Sequence, residues 1–333
     1  MRSLARKLVL LGLVLALTGL VAGCGRARPS HEPIAAETEG SATGAFEEEA
    51  LKGKIRADGS STLGPFVTFA AERFLKQEPG VRVTVGISGT GGGFERFCRG
   101  ETDLADASRP IEDDEKAMCA EKHIDYLELQ VANDGLSVVV NRGNTWAECL
   151  TVEQLKKIWR PGSSVDRWNE VDPSFPADKL TLYGPGTDSG TFDYFTKAIV
   201  GEEGASRPDY SASEDDNVTV RGVEGEKGAL GYLGLSYLES AEGKLKGLAI
   251  DGGDGCVLPS AKTVQDGSYK PLSRPLFIYV KASALDRLAV SAFLEFILDN
   301  QERIAKGALF VPLTADQLDR ARTRLDAGAT SVD

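Results

Sequence analysis

From residue 54 onward the chain switches repeatedly between two hydrophobic periods. Lys54-Ile55-Arg56-Ala57 puts apolar residues at every second position, as a strand with one buried face does, and runs into Asp58-Gly59-Ser60-Ser61-Thr62. Phe66, Phe69, Ala70 and Phe74 then fall at i, i+3, i+4 and i+8, one face of a helix that Pro79-Gly80 ends. Val81-Arg82-Val83-Thr84-Val85 alternates again and breaks at Ser88-Gly89-Thr90-Gly91-Gly92-Gly93, after which a short helix is predicted from near Phe94 to Gly100. Much later, Leu180-Thr181-Leu182-Tyr183 opens into Gly184-Pro185-Gly186-Thr187-Asp188-Ser189-Gly190-Thr191, and the next helix is predicted to start at Phe192, with Phe195 and Ile199 on its side. Strand, loop and helix in this order predict an α/β fold.

The remaining pattern reads as scaffold. Asn133-Asp134-Gly135 is expected to end a connection before the strand Leu136-Ser137-Val138-Val139-Val140. Leu155, Ile158 and Trp159 have helical spacing and a core composition. Val220-Arg221-Gly222-Val223 looks turn-rich and leads toward a strand at Gly228-Ala229-Leu230-Gly231-Tyr232. Residues 285–304 read as one amphipathic helix, Phe310-Val311-Pro312-Leu313 as a segment packing back, and 326–333 as a frayed polar end.

The N-terminus follows a different rule. Arg2, Arg6 and Lys7 precede an apolar run over 8–17, too short to cross a bilayer, and Val21-Ala22-Gly23-Cys24 closes it with small residues. Cysteine directly after Ala-Gly resembles the bacterial lipobox, so residues 1–23 are expected to be a lipoprotein signal peptide and Cys24 the lipidated new terminus; ordinary secretion is the alternative. Residues 24–53, with Pro29, Pro33, Gly40, Gly44 and Glu47-Glu48-Glu49, read as a flexible acidic tether that also holds His31.

Composition narrows the function. The chain has 333 residues, room for two compact domains, and a formal net charge of −12, which disfavours a nucleic-acid binder. His31 and His123 are the only histidines, so a His-rich metal centre or a Ser-His-Asp triad is not expected. Cys98, Cys119, Cys149 and Cys256 form an even set without C-x-x-C spacing, suggesting two disulfides in an exported chain. Three pairings exist; Cys98–Cys119 with Cys149–Cys256 is favoured because the first closes a short local loop, and free buried thiols are the alternative.

Each of the three loops delivers hydroxyls and open backbone N–H groups to a helix N-terminus, where the first amides lack partners and the helix dipole is positive. A small oxyanion satisfies both, although any single loop can equally be a helix cap. No Gly-x-x-x-x-Gly-Lys-Ser/Thr occurs, Phe94 and Ser189 stand where a dinucleotide fingerprint needs glycine, and no Gly-x-Ser-x-Gly elbow is present. Arg109, after the second loop, offers a bidentate fork to an oxyanion, with pairing to a neighbour such as Asp106 as the alternative. Hydrogen phosphate carries a proton at neutral pH and sulfate does not, so one acceptor-only carboxylate separates them; Asp134 and Asp188 are the candidates, and either can instead cap a turn.

Asp-Gly-Ser-Ser-Thr (58–62), Gly-Ile-Ser-Gly-Thr-Gly-Gly-Gly-Phe (86–94), Ala-Ser-Arg-Pro-Ile (107–111) and Gly-Pro-Gly-Thr-Asp-Ser-Gly-Thr-Phe-Asp-Tyr-Phe (184–195) resemble the phosphate-binding proteins of bacterial Pst-type ABC importers. The resemblance covers about 54–315. It implies a two-lobed type II periplasmic-binding-protein fold, with 54–137 and 277–333 in the first lobe, 138–276 in the second, and a hinge near 136–141 and 274–280. It further implies phosphate bound by Ser61, Thr62, Ser88, Ser189, Gly190 and Thr191, and delivery to an ABC permease driven by a separate ATPase. The chain would act as a lipid-anchored extracytoplasmic monomer that catalyses nothing and needs no metal or cofactor. The family's aspartate and arginine are replaced here by Arg109 and Pro185, as if the arginine came from the opposite lobe. Another tetrahedral oxyanion, such as sulfate, molybdate or tungstate, or a secreted phosphatase are the rival readings.

Overall fold

The structure is a computed structural model. It describes residues 50–330 apart from Asp188 and Glu242, so the signal segment, Cys24, His31 and the tether up to 49 lie outside the described residues, as do 331–333. The chain opens with β1 (Gly53–Gly59), α1 (Gly64–Gln77), β2 (Val81–Ile87), α2 (Gly89–Cys98), β3 (Leu104–Ala107), α3 (Asp113–Glu121) and the long β4 (Tyr126–Asn141). Then follow β5 (Cys149–Thr151), α4 (Val152–Trp159), α5 (Trp168–Val171), β6 (Thr181–Gly184), α6 (Gly190–Phe195), β7 (Ser211–Ala212), α7 (Asp216–Gly225), β8 (Ala229–Gly234) and α8 (Leu235–Ser240). The chain closes with β9 (Leu245–Gly247), β10 (Ala249–Asp251), β11 (Cys256–Val257), α9 (Ala261–Gln265), β12 (Ser273–Lys281), α10 (Leu288–Asp299), α11 (Gln301–Gly307) and α12 (Ala315–Thr330).

Among the described residues one sheet runs in the order β2-β1-β3-β12-β4-β8-β6-β7, with β9 also on β4, and a small sheet is ordered β11-β10-β5. Parallel pairs lie toward both ends, and antiparallel β12, β4 and β8 join them. Strand β4 changes partner along its length: Tyr126 to Gly135 face β12, and Leu136 to Val140 face β8. The hydrophobic cores divide with it. One gathers Ile55, Phe66, Phe74, Leu129, Ile278 and Phe293; the other gathers Leu136, Trp159, Phe195, Tyr232, Ile250 and Leu272. Each such side chain contributes about 1.5–3 kcal/mol by leaving water. Both favoured disulfides are formed, Cys98–Cys119 from α2 to α3 and Cys149–Cys256 across the small sheet.

Local physics explains where the pattern misleads. Helix α1 begins at Gly64 with Pro65 in its first turn and buries Phe66, Val67, Ala70 and Phe74. Helix α2 starts at Gly89 instead of Phe94, although glycine lowers helix stability by about 1 kcal/mol per residue. Gly93 shows the reason: a Cβ there would stand 2.5 Å from the Gly59 Cα, so only glycine lets α2 lie against β1. Asn133, Asp134 and Gly135 belong to β4 and not to a connection, because β12 pairs with all three. The turn-rich reading of Val220-Arg221-Gly222-Val223 is corrected to α7, whose first turn is capped by Asp215 accepting from the Asn217 N–H. The single helix expected over 285–304 is broken at Asn300 into α10 and α11. The expected frayed end is helical to Thr330, since Ala321 and Leu325 are buried.

Candidate functional site

A cavity of about 780 Å³ opens between the C-terminal ends of β1 and β3 and the start of α6. Its walls are residues 60–62 after β1, 88–92 at the start of α2, 108–110 with Glu112, and on the facing side Gly190, Asp193, Tyr194, Lys197 and Glu203. Arg274 and Pro275 of β12 line it as well. Residues 89–92, the first turn of α2, lie at this cleft, where a helix offers donors and positive potential.

The first loop divides its hydroxyls. Ser60 serves the fold: its N–H donates to the Asp106 carbonyl at 2.8 Å and its Oγ accepts from Leu63 N. Ser61 has no hydrogen bond among the described residues and lines the cavity. Thr62 Oγ1 accepts from Arg274 Nη2 at 2.8 Å. In the second loop Ser88 lines the cavity, yet its hydroxyl donates to Asp58 Oδ1 at 2.6 Å, and Asp58 is also held by Arg96 at 2.9 Å. Thr90 and Ser108, which sequence reasoning did not single out, share a 3.1 Å hydrogen bond between their hydroxyls on the cavity wall.

Arg109 lines the cavity but has its fork occupied. Its Nη atoms make two 2.8 Å bonds to Glu115, its Nε lies 3.3 Å from Glu112, and the hydrogen bond to Glu115 raises its pKa. The partner is not Asp106. That carboxyl is 1% exposed, has no hydrogen-bond partner on either oxygen among the described residues, and is pushed up to about pH 8, by burial first and Asp58 second.

The arginine at the inner end of the cleft is Arg274. Its Nε and Nη2 each lie 3.1 Å from Asp134 Oδ2, and its guanidinium sits 3.6 Å from the centre of the Tyr194 ring. Tyr194 is fixed in turn by its hydroxyl donating to the Pro271 carbonyl at 2.7 Å. Nη1 has no partner among the described residues, so donors remain on the cavity side. Asp134 therefore carries an arginine and does not itself line the cavity, contrary to its expected role as a ligand's acceptor. The signal for Arg274 was weak because 140 residues separate it from Asp134 and 212 from Thr62.

The third loop meets the first directly. A Cβ at Gly190 would stand 2.7 Å from Thr62 Oγ1 and 3.0 Å from its amide nitrogen, so glycine permits this approach. Ser189 is the cap of α6, its Oγ accepting from Thr191 N at 3.2 Å, and neither residue is among those lining the cavity. Asp188 lies outside the described residues. Beyond α6 a π-helical turn, Thr196–Val200, carries Lys197 on the cleft's outer edge. Among the described residues no group of three or more His, Cys, Asp or Glu is arranged to hold a metal ion.

Fixed neutral donors, helix N-termini and one anchored arginine suit a small tetrahedral oxyanion. Comparison with known proteins agrees. A family model described as PBP superfamily domain matches residues 37–301. The chain is 46% identical over 277 residues to Protein SphX of Synechocystis sp., spanning 82% of each chain. It is 38% identical over 277 residues to the phosphate-binding protein PstS of Staphylococcus saprophyticus, spanning 83% of this chain and 85% of that one. The crystal structure of a possible phosphate binding protein from Planctomyces limnophilus matches with a TM-score of 0.80 at 43% identity, over 84% of this chain and 99% of that one. With its sheet, its two cores and most of its length matched in this way, the chain belongs to the PBP superfamily and has the two-lobed periplasmic-binding-protein fold.

Proposed function

We propose that this chain captures inorganic phosphate in the cleft and delivers it to the permease of an ABC importer, whose separate ATPase supplies the energy. The observation that carries the reading is Arg274: stacked on Tyr194, anchored by Asp134 and joined to Thr62, it presents remaining donors where the loops of both walls converge. Ser61, Thr62 and Gly190 would form the seat with it, and Thr90 and Ser108 would supply further donors. Ser88, Ser189 and Thr191 would contribute through backbone amides and by shaping the loops. Arg109 would stand at the rim.

The lobes would comprise 54–137 with 277–333, and 138–276, hinged where β4 changes partner and β12 returns. A ligand touching both lobes favours the closed form, because only that form makes both sets of contacts. The net charge of −12 gives an anion no long-range attraction, so affinity would come from local dipoles at a desolvated seat. Cleavage after residue 23 and lipidation of Cys24 would hold the chain outside the cytoplasm as a membrane-anchored monomer. As in other substrate-binding transport proteins, no reaction is catalysed. Calorimetric titration of phosphate-stripped protein is expected to give tight one-to-one phosphate binding, and a chromogenic phosphate ester to remain unhydrolysed with or without divalent metal. Absence of phosphate binding, or ester turnover lost in Ser189→Ala, contradicts the reading.

A further inference from the structure

Although the chain has a formal net charge of −12, positive charge collects at one place away from the cleft. Helix α2 lies against β1 and β3 near the cleft, where Ser88 and Arg96 cover Asp58. Toward the start of β1 the same face is open. Lys54 and Arg56 are exposed there beside Arg82 of the edge strand β2, which pairs with Lys54, while Ile55 is buried in the core behind them. Lys52 is exposed next to this group, and none of the four cations makes an ion pair among the described residues. Arg287 joins them: its Nη1 donates to the Lys54 carbonyl at 3.0 Å and its Nη2 meets Asp103 at 2.6 Å. Asp103, whose side chain is 9% exposed, and the exposed Asp286 offset part of this charge.

A leucine stands at the border of the patch. Leu288, the first residue of α10, is 77% exposed, more than any other large hydrophobic side chain among the described residues, while Ala289 and Val290 behind it are buried. It shares a groove of about 420 Å³ with residues 50–54, Arg287 and Ala289. The described chain begins at Ala50 in this groove, so an anchor at Cys24 would attach on this side. Open cations around a protruding apolar side chain fit a surface that is anionic at its face and apolar beneath.

We propose that this end of the sheet docks on an anionic lipid surface, with Lys52, Lys54, Arg56, Arg82 and Arg287 meeting headgroup phosphates and Leu288 entering the interface. A strand rises about 3.3 Å per residue, which puts Lys54 about 20 Å from Ser60 at the cleft. The docked chain therefore turns its cleft away from the bilayer, toward the solution that carries its ligand. The attraction is electrostatic and weakens as salt shortens the Debye length from about 10 Å at 0.1 M to about 3 Å at 1 M. The contact needs neither the phosphate reading nor acylation of Cys24; an anchor only raises the local concentration of lipid.

The test uses the full chain as purified, with Leu288→Cys carrying a polarity-sensitive fluorophore and Leu258→Cys, 60% exposed elsewhere, as its control. Vesicles of phosphatidylcholine alone are compared with vesicles that also contain phosphatidylglycerol. The label at 288 is expected to shift to the blue on the anionic vesicles only and to return in high salt, while the label at 258 stays unchanged. Lys54→Gln, Arg56→Gln and Arg82→Gln together are expected to weaken binding to anionic vesicles about tenfold or more. Phosphate affinity and melting temperature in that variant are expected to stay those of the wild type. No shift on anionic vesicles overturns the proposal, as does a shift on both kinds of vesicle, at both labels, or unaltered by the triple substitution. A shift without lipid also overturns it: one that grows with protein concentration assigns the face to a second copy, and one that does not assigns it to the chain's own acidic residues 47–49. A wild type that binds no phosphate overturns the phosphate reading alone.

Discussion

The two arginines that line the cleft show how differently one side chain can be used. At the outer rim, Arg109 closes its fork on Glu115, whose side chain is 8% exposed, and has Glu112 beside its Nε. At the inner end, Arg274 is 13% exposed and shares one carboxylate oxygen of Asp134 between Nε and Nη2, which leaves Nη1 without a partner among the described residues. The rim arginine is a finished ion pair; the inner one is anchored but unsaturated. An anion that approached Arg109 would compete with two carboxylates, whereas at Arg274 it would complete a set of donors. Proximity to a cleft therefore does not identify a binding arginine; the partners it already has do.

This contrast orders the expected effects. Arg274→Gln is expected to weaken phosphate binding most, by roughly 3 kcal/mol, the scale for truncating one partner of a desolvated charge pair. Calorimetry would check it, and an unchanged Kd would remove Arg274 from the seat. Gly190→Ala also acts at the inner end, since its methyl would meet Thr62 Oγ1 at 2.7 Å. A loss of about 2 kcal/mol in phosphate affinity is expected, at the scale of a small overpacked contact, with the melting temperature of the free protein less affected.

A third test concerns Asp106, buried in β3 behind the cleft loops. Asp106 holds its proton up to about pH 8 in the folded chain, whereas an aspartate of the unfolded chain ionises near pH 4. The folded state thus binds the extra proton between these values, so this group's contribution to stability is full below about pH 4, falls as pH rises toward 8, and is flat above. Asp106→Asn is expected to flatten that slope and add about 1–2 kcal/mol at pH 8, read as a melting temperature higher by a few degrees. An identical pH profile in the variant would show that Asp106 is ionised with a partner. The smallest effect is expected at the rim: Arg109→Gln should change phosphate affinity by less than about 1 kcal/mol, the range of a partly exposed pair. A loss as large as that of Arg274→Gln would reverse the comparison.

The arginine contrast also marks what was legible in the sequence. The alternation at residues 54–57 and 81–85, and the helical spacing of Phe66, Ala70 and Phe74, identified β1, β2 and α1 because each buries one face against a core. The Ser/Thr-Gly loops identified the cleft walls, since hydroxyls and glycine at a helix start carry a local signal. Glycine within helices did not read as helix: at Gly93 of α2 and Gly222 of α7 a side chain would collide with Gly59 and the Tyr183 ring, a fact of tertiary packing. Arg274 was hidden for a similar reason. It sits in β12 among Ser273, Pro275 and Leu276 with no motif around it, and only strand pairing with β4 brings it to Asp134. Arg109 stood beside a recognisable loop, but the helix that delivers Glu115 to it could not be placed from local pattern.

The most direct test is a crystal structure of the phosphate complex. The account predicts a phosphate oxygen within about 3 Å of an Arg274 Nη atom, the length of a charge-assisted hydrogen bond, with Thr62 and Gly190 in contact and Arg109 still paired with Glu115. A phosphate held by Arg109 drawn away from Glu115, with Arg274 bonded only to Asp134 and Thr62, would contradict it.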